Sequence, residues 1–323
     1  MSTLQAHLKE KNFANIYFFY GNEDYLRTRW QNATLTAIKN LEPDIEVNLL
    51  DSNLKIPHLL ELLESMSFFG RRLIVVKNSG LFESKKTEAE ELVQVLAKGL
   101  DDIIIFNEEK ADKRLKAFKS LIEISFSNEA ILPQEKDLID WIRSQFKGYD
   151  KVISRAEAAY LLQILPKNMN IISQEINKIA NYANESQISA GHIEAVASKT
   201  TEAKIFEMLK FAFAGNKKNA HQQFKNLMHL KESPFAVISM IARHFRFALW
   251  CGDLAKTHNI KQIAEITELR DFAIRDFIKI YKTIPESKLI GGLQACLMAD
   301  LNVKNGLFGD EQSAEMLLLG LLQ

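Results

Sequence analysis

Cysteine is nearly absent from this chain: its 323 residues hold only Cys251 and Cys296. A structural zinc needs about four clustered ligands, so these two, on separate helical segments of the second half, read as reduced core thiols. Long apolar runs are missing as well. None approaches the ~18 residues of a membrane span, and the opening Met1–Gln5 lacks the layout of a secretory signal, so the expected location is cytoplasmic. Net charge is also absent, with 41 basic and 41 acidic side chains. The balance hides an asymmetry. Residues 1–140 carry 18 basic and 23 acidic side chains, and residues 141–323 carry 23 and 18, so nucleic acid, if met, would meet the second half.

Catalytic signatures are missing too. The seven histidines are scattered, with no H-E-x-x-H pair, and no G-x-S-x-G elbow or G-x-G-x-x-G fingerprint occurs. Neither a metal nor a cofactor is expected. What remains is an ordinary globular composition, 47% hydrophobic and 25% charged, with length for two or three domains.

The first 140 residues alternate strand-like and helix-like runs. Strands are expected at Ile16–Tyr20, Glu46–Leu50, Leu73–Val76 and Ile103–Phe106, with a fifth somewhere in 122–132. Helices are expected at Glu23–Asn40, Ile56–Glu64 and Glu88–Ala97, with a short basic piece at Lys113–Lys119. Such alternation argues for a parallel sheet covered by helices on both faces. After Pro133 the strand signal disappears. Ser154-Arg155-Ala156-Glu157 has the spacing of a capping box opening a helix that Pro166 ends. From Ile205 onward the apolar residues recur every three or four positions, as in bundle helices. The fold class is α/β followed by all-α.

A sheet domain followed by helices invites a nucleotide-binding reading, and the loop after the first strand tests it. A phosphate loop needs a second glycine, a lysine and a hydroxyl. The loop here reads Gly21-Asn22-Glu23-Asp24-Tyr25-Leu26-Arg27, with two carboxylates where phosphate would lie. These acids suit the first turn of a helix. The run Ile103–Phe106 ends in Asn107-Glu108-Glu109, where a metal-bound water would want aspartate at 107; the acids read as solvated strand-end residues. Arg155, an imaginable arginine finger, reads as a surface residue of the capping box.

The densest feature is Ser65-Met66-Ser67-Phe68-Phe69-Gly70-Arg71-Arg72, directly before the strand Leu73–Val76. Crowded apolar side chains at a helix-to-strand corner serve either as core caps or as an exposed patch for a partner. Pattern alone leaves both readings open.

These segments, taken together, resemble the delta subunit of the bacterial DNA polymerase III clamp loader. The resemblance is carried by Ile16–Leu26, Met66–Val76, Ala111–Arg114 with Asp140–Ile142, Ile172–Tyr182, and Ile205–Glu207 with Phe245-Arg246. It implies a AAA+-like domain over 1–140 lacking a Walker A motif, a small helical lid over 141–205 and a helical collar over 206–323. It further implies a non-catalytic subunit of a hetero-pentamer with ATPase subunits and a delta-prime subunit. Such a subunit binds and opens the sliding clamp, the beta subunit, and meets primer-template DNA through the assembled complex. The clamp-binding residues it implies are Met66, Phe68 and Phe69, with Phe68 where many members carry leucine. Two other readings stand beside it: a AAA+-type nucleotide hydrolase, and a helical adaptor in which the Met66–Phe69 cluster is core.

Overall fold

The structure, a computed structural model, describes residues 2–10, 13–52, 56–65, 70–269 and 271–321. Its first part runs α1 (Ser2–Lys9), β1 (Ile16–Tyr20), α2 (Asp24–Leu41), β2 (Glu46–Leu50), α3 (Ile56–Glu64), β3 (Arg72–Lys77), α4 (Thr87–Ala97), β4 (Ile103–Glu108), α5 (Lys116–Ile124) and β5 (Phe126–Glu129). The five strands form one parallel sheet in the order β2-β3-β4-β1-β5. The three central strands are buried because their β-branched and aromatic runs face helices on both sides. Phe18 meets Phe118 of α5 on one face (centroids 5.6 Å apart), and Phe19 meets Trp30 of α2 on the other (5.9 Å).

The basic piece expected at 113–119 begins its helix later, at Lys116. Asp112 is the reason. Its carboxylate accepts from Arg114 N and the Arg114 guanidinium (2.9 and 2.7 Å), holding 112–114 in a turn.

Next come α6 (Glu135–Lys147), β6 (Val152–Ile153), α7 (Arg155–Ile164), α8 (Met169–Tyr182), β7 (Gln187–Ile188) and α9 (Ala190–Val196). The capping box is present: Glu157 N donates to Ser154 Oγ (3.1 Å), and Ser154 N donates to the Glu157 carboxylate (3.2 Å). Strand pairing does not end at Pro133, however. β6 and β7 form a parallel two-residue bridge, too short to leave a periodic signal in sequence.

The remaining helices are α10 (Thr201–Phe213), α11 (Lys217–His229), α12 (Pro234–Leu254), α13 (Ile260–Thr267), α14 (Asp271–Thr283), α15 (Glu286–Lys304) and α16 (Asp310–Leu321). α12 is the central one, packing against α10, α13, α14, α15 and α16. Close approach is bought with glycine: a Cβ at Gly252 would lie 2.0 Å from the Tyr281 ring. Cys251 and Cys296 are both buried and free, and burial pushes their thiols up to about 11 and about 12. Short α13 escaped the periodicity reading, though Asn259 and Gln262 close a capping box at its start.

By contacts the chain divides into two compact units, residues 1–159 with 167–196, and residues 160–166 with 197–323. No described helix is long and apolar enough to cross a membrane.

Candidate partner-binding site

The parallel order places the loop after β1 beside the end of β4, and that loop is closed. Gly21 N donates to the Glu108 carbonyl (3.0 Å), and Glu23 N donates to the Ala130 carbonyl (3.0 Å). Amides that a phosphate cradle would turn toward an anion are thus spent on carbonyls. Gly21 sits at φ +123°, and a Cβ there would lie 2.3 Å from the Ala130 oxygen. Gly21→Ala is therefore expected to cost about 2–4 kcal/mol, from backbone strain plus a clash with a carbonyl that cannot swing away. Urea denaturation checks this; an unchanged midpoint would show the loop to be open.

Glu23 is the N-cap of α2 rather than a first-turn acid. Its carboxylate accepts from Tyr25 N at 3.4 Å. Burial raises its pKa, with the Tyr25 amide opposing. Asp24 does occupy the first turn and holds Arg27 at 3.3 Å.

The reading of Glu108 as a solvated strand-end acid needs correction. Glu108 is fully buried; it accepts from Ser79 N (3.0 Å), Ser79 Oγ (2.6 Å) and Gly80 N (3.3 Å). A buried carboxylate survives only when donors satisfy it, and this one clamps the turn after β3. Burial nonetheless raises its pKa, against those donors. Glu109 is exposed, as expected. Asn107 is also buried. Its Oδ1 accepts from Arg27 Nη1, and its Nδ2 donates to Gln31 Oε1 (2.8 Å). Arg27 and Gln31 lie on the buried face of α2 with Leu26, Trp30 and Ile38. A polar network fills the place beside the loop. Arg155 ion-pairs with Asp140 (3.4 Å) and is half exposed.

Met66, Phe68 and Phe69 lie outside the described residues, but their flanks are well defined. Arg72 opens β3 and Asp102 directly precedes β4, each one residue before the pair Leu73 and Ile103, so strand register sets them side by side. Arg72 N donates to Asp102 Oδ1 (2.7 Å), while Nε and Nη2 donate to Oδ2 (3.1 and 2.7 Å). Both residues are about 5% exposed. The same guanidinium donates to Ser65 Oγ and to the Ser65 carbonyl, each at 2.9 Å. Arg71 pairs with Glu42, the C-cap of α2, through Nε at 2.8 Å, and that guanidinium lowers the Glu42 pKa. Neither Arg72 nor Asp102 is assigned a role by sequence reasoning. The signal was a charge directly preceding each of two buried strand runs.

In the second unit, Lys217, Lys218, Lys225, Arg243 and Arg246 are exposed on their helices. Arg243 lies over the Phe247 ring at 5.3 Å and 3.6 Å from Glu202. The apolar run at the end divides: Leu317 and Leu318 are buried, Met316 and Leu319 about half exposed. Among the described residues no group of three or more His, Cys, Asp or Glu side chains could hold a metal.

A five-stranded parallel sheet in this order, followed by helices, with its first loop closed on carbonyls and no loop lysine, defines an α/β protein with a helical C-terminal region and no phosphate loop after its first strand. Residues 17–129 match the family model for the DNA polymerase III delta subunit, and residues 202–321 match that for its C-terminal domain. Between them the two models take up well over half of the sequence, and the chain belongs to the DNA polymerase III delta subunit family. The structure is similar to that of the Bacillus subtilis DNA clamp loader delta protein (YqeN), with a TM-score of 0.56, 22% identity and 99% of each chain covered. At that identity the likeness shows the fold. More distant are the Thermotoga maritima RuvB Holliday junction branch migration motor (TM-score 0.40, 13% identity, 64% of this chain and 72% of that one) and domain III of the Thermotoga maritima replication initiation protein DnaA (0.39, 14%, 60% and 88%). No curated protein matches the sequence.

Proposed function

We propose that this chain is the non-catalytic subunit of a replicative clamp loader that binds the sliding clamp and opens it for loading onto primed DNA. Membership of the delta family is the observation that carries the reading. In this reading residues 1–140 grip the clamp, 141–205 form a lid and 206–323 a collar joining ATPase subunits and a delta-prime subunit, all acting in the cytoplasm. Met66, Phe68 and Phe69 enter the clamp, leaving from a corner fixed by α3 and β3. A protein holds a ring open only by binding the open form more tightly than the closed one. Reversing a 99:1 preference takes about 5.5 kcal/mol of differential affinity, and two or three apolar anchors at ~2–4 kcal/mol each supply much of it. Gel filtration of the pure chain with a sliding clamp tests the reading: co-elution supports it, and separate elution at micromolar concentrations sinks it.

The nucleotide-hydrolase alternative makes the opposite demand. With Gly21 N and Glu23 N bonded to carbonyls and a buried acid at Glu23, calorimetry of the isolated chain with ATP is expected to register no binding. A micromolar dissociation constant would revive that alternative.

A further inference from the structure

Arg72 joins the two ends of the segment on which clamp recognition depends. Ser65 is the residue before that segment and Arg72 opens β3, and the two Arg72–Ser65 hydrogen bonds, at 2.9 Å each, make both ends meet at one guanidinium. The anchor is firm because the guanidinium is buried and already held by Asp102 at 2.7 and 3.1 Å; charge-assisted bonds out of water are stronger than their exposed counterparts. Arg71, immediately after Gly70, adds a tie to Glu42. Gly70 itself has φ +93° with open space around its Cβ position, so glycine is required there by backbone conformation and not by crowding.

We propose that Arg72, held by Asp102, is a positioning residue for clamp recognition: by fixing Ser65 it sets the base from which Met66, Phe68 and Phe69 reach the partner. The proposal rests on the clamp-binding reading above. Its physical content is preorganisation. A segment whose ends are already joined has less freedom left to lose on binding. A merely structural Arg72 would instead use Ser65 to satisfy spare donors, and clamp affinity would follow stability alone.

The test uses the full chain and three readouts: melting temperature, clamp dissociation constant, and amide hydrogen exchange over residues 60–72 in the free protein. Arg72→Met combined with Asp102→Leu removes the buried pair and its hold on Ser65 while keeping the volume apolar, an exchange that is often neutral for stability. The expected result is a modestly lowered melting temperature, because the Arg72 amide loses its Asp102 acceptor, together with faster exchange over 62–71 and clamp affinity about tenfold to a hundredfold weaker, as for lost preorganisation of a few side chains. Arg72→Lys keeps a charge beside Asp102 but loses the forked reach to Ser65, and is expected to weaken affinity in the same direction; it decides the matter if the double variant fails to fold. A folded variant with natural affinity and unchanged exchange overturns the proposal and leaves the clamp reading intact. If the natural chain itself binds no clamp, the clamp reading fails and the role in recognition fails with it; exchange then reports only whether Arg72 orders the segment.

Discussion

Replacing Phe68 and Phe69 together with alanine is expected to abolish clamp binding and leave the melting temperature nearly unchanged. Buried aromatic anchors at interfaces are worth ~2–4 kcal/mol each on truncation, so losing two weakens binding by roughly a thousandfold or more. Behind the corner Leu59, Ile74, Val76, Leu92, Ile104 and Phe106 are all fully buried and form one cluster. The adaptor reading predicts the reverse. Were the two rings part of that core, each substitution would cost ~3–5 kcal/mol, and the double variant would unfold. Calorimetric melting and clamp titration on the same preparation separate the two readings, because one moves where the other stays still.

Asp102→Ala is expected to destabilise the chain by ~3–5 kcal/mol, the usual result of stranding a buried charge. Asp102 receives three hydrogen bonds from Arg72, one of them from the backbone amide that begins β3. With the carboxylate gone, the guanidinium keeps only Ser65, and the Arg72 backbone amide loses its acceptor. Asp102→Asn keeps one acceptor and is expected to cost less. Urea denaturation of both variants checks the order. A loss below ~1 kcal/mol for Asp102→Ala would mean that the pair is solvated and contributes as an exposed ion pair does.

Much of the fold was legible in the sequence because it was written in short apolar runs alternating with amphipathic ones. Ile16–Tyr20 and Glu46–Leu50 form strands with the expected limits, and β3 and β4 differ from expectation only at their ends. Those end residues are where single-sequence reasoning loses sight. Glu108 belongs to the strand and is buried, although a carboxylate after an apolar run suggests solvent. Its donors, Ser79 and Gly80, come from 29 and 28 positions away, a separation that no local pattern records. Arg27 and Gln31 hid for a related reason: polar residues on the buried face of α2 look like breaks in periodicity until Asn107 is seen opposite them. The network became visible only through the pairing of β1 with β4. At the Met66–Phe69 corner the limit was different, since core cap and partner plug share one pattern there, and only the family resemblance pointed to the plug.

The closed loop at Gly21 also bears on how such a chain can change over time. Restoring a lysine would not by itself restore nucleotide chemistry, because two loop amides are already committed to the Glu108 and Ala130 carbonyls. Freeing them means moving the backbone at 130. The Arg27–Asn107–Gln31 contacts would have to be remade as well, and each partial step would leave a buried polar group unpaired at a cost of ~1–3 kcal/mol. Opening the loop into a phosphate cradle is therefore opposed by the folding stability of the interior packed against it.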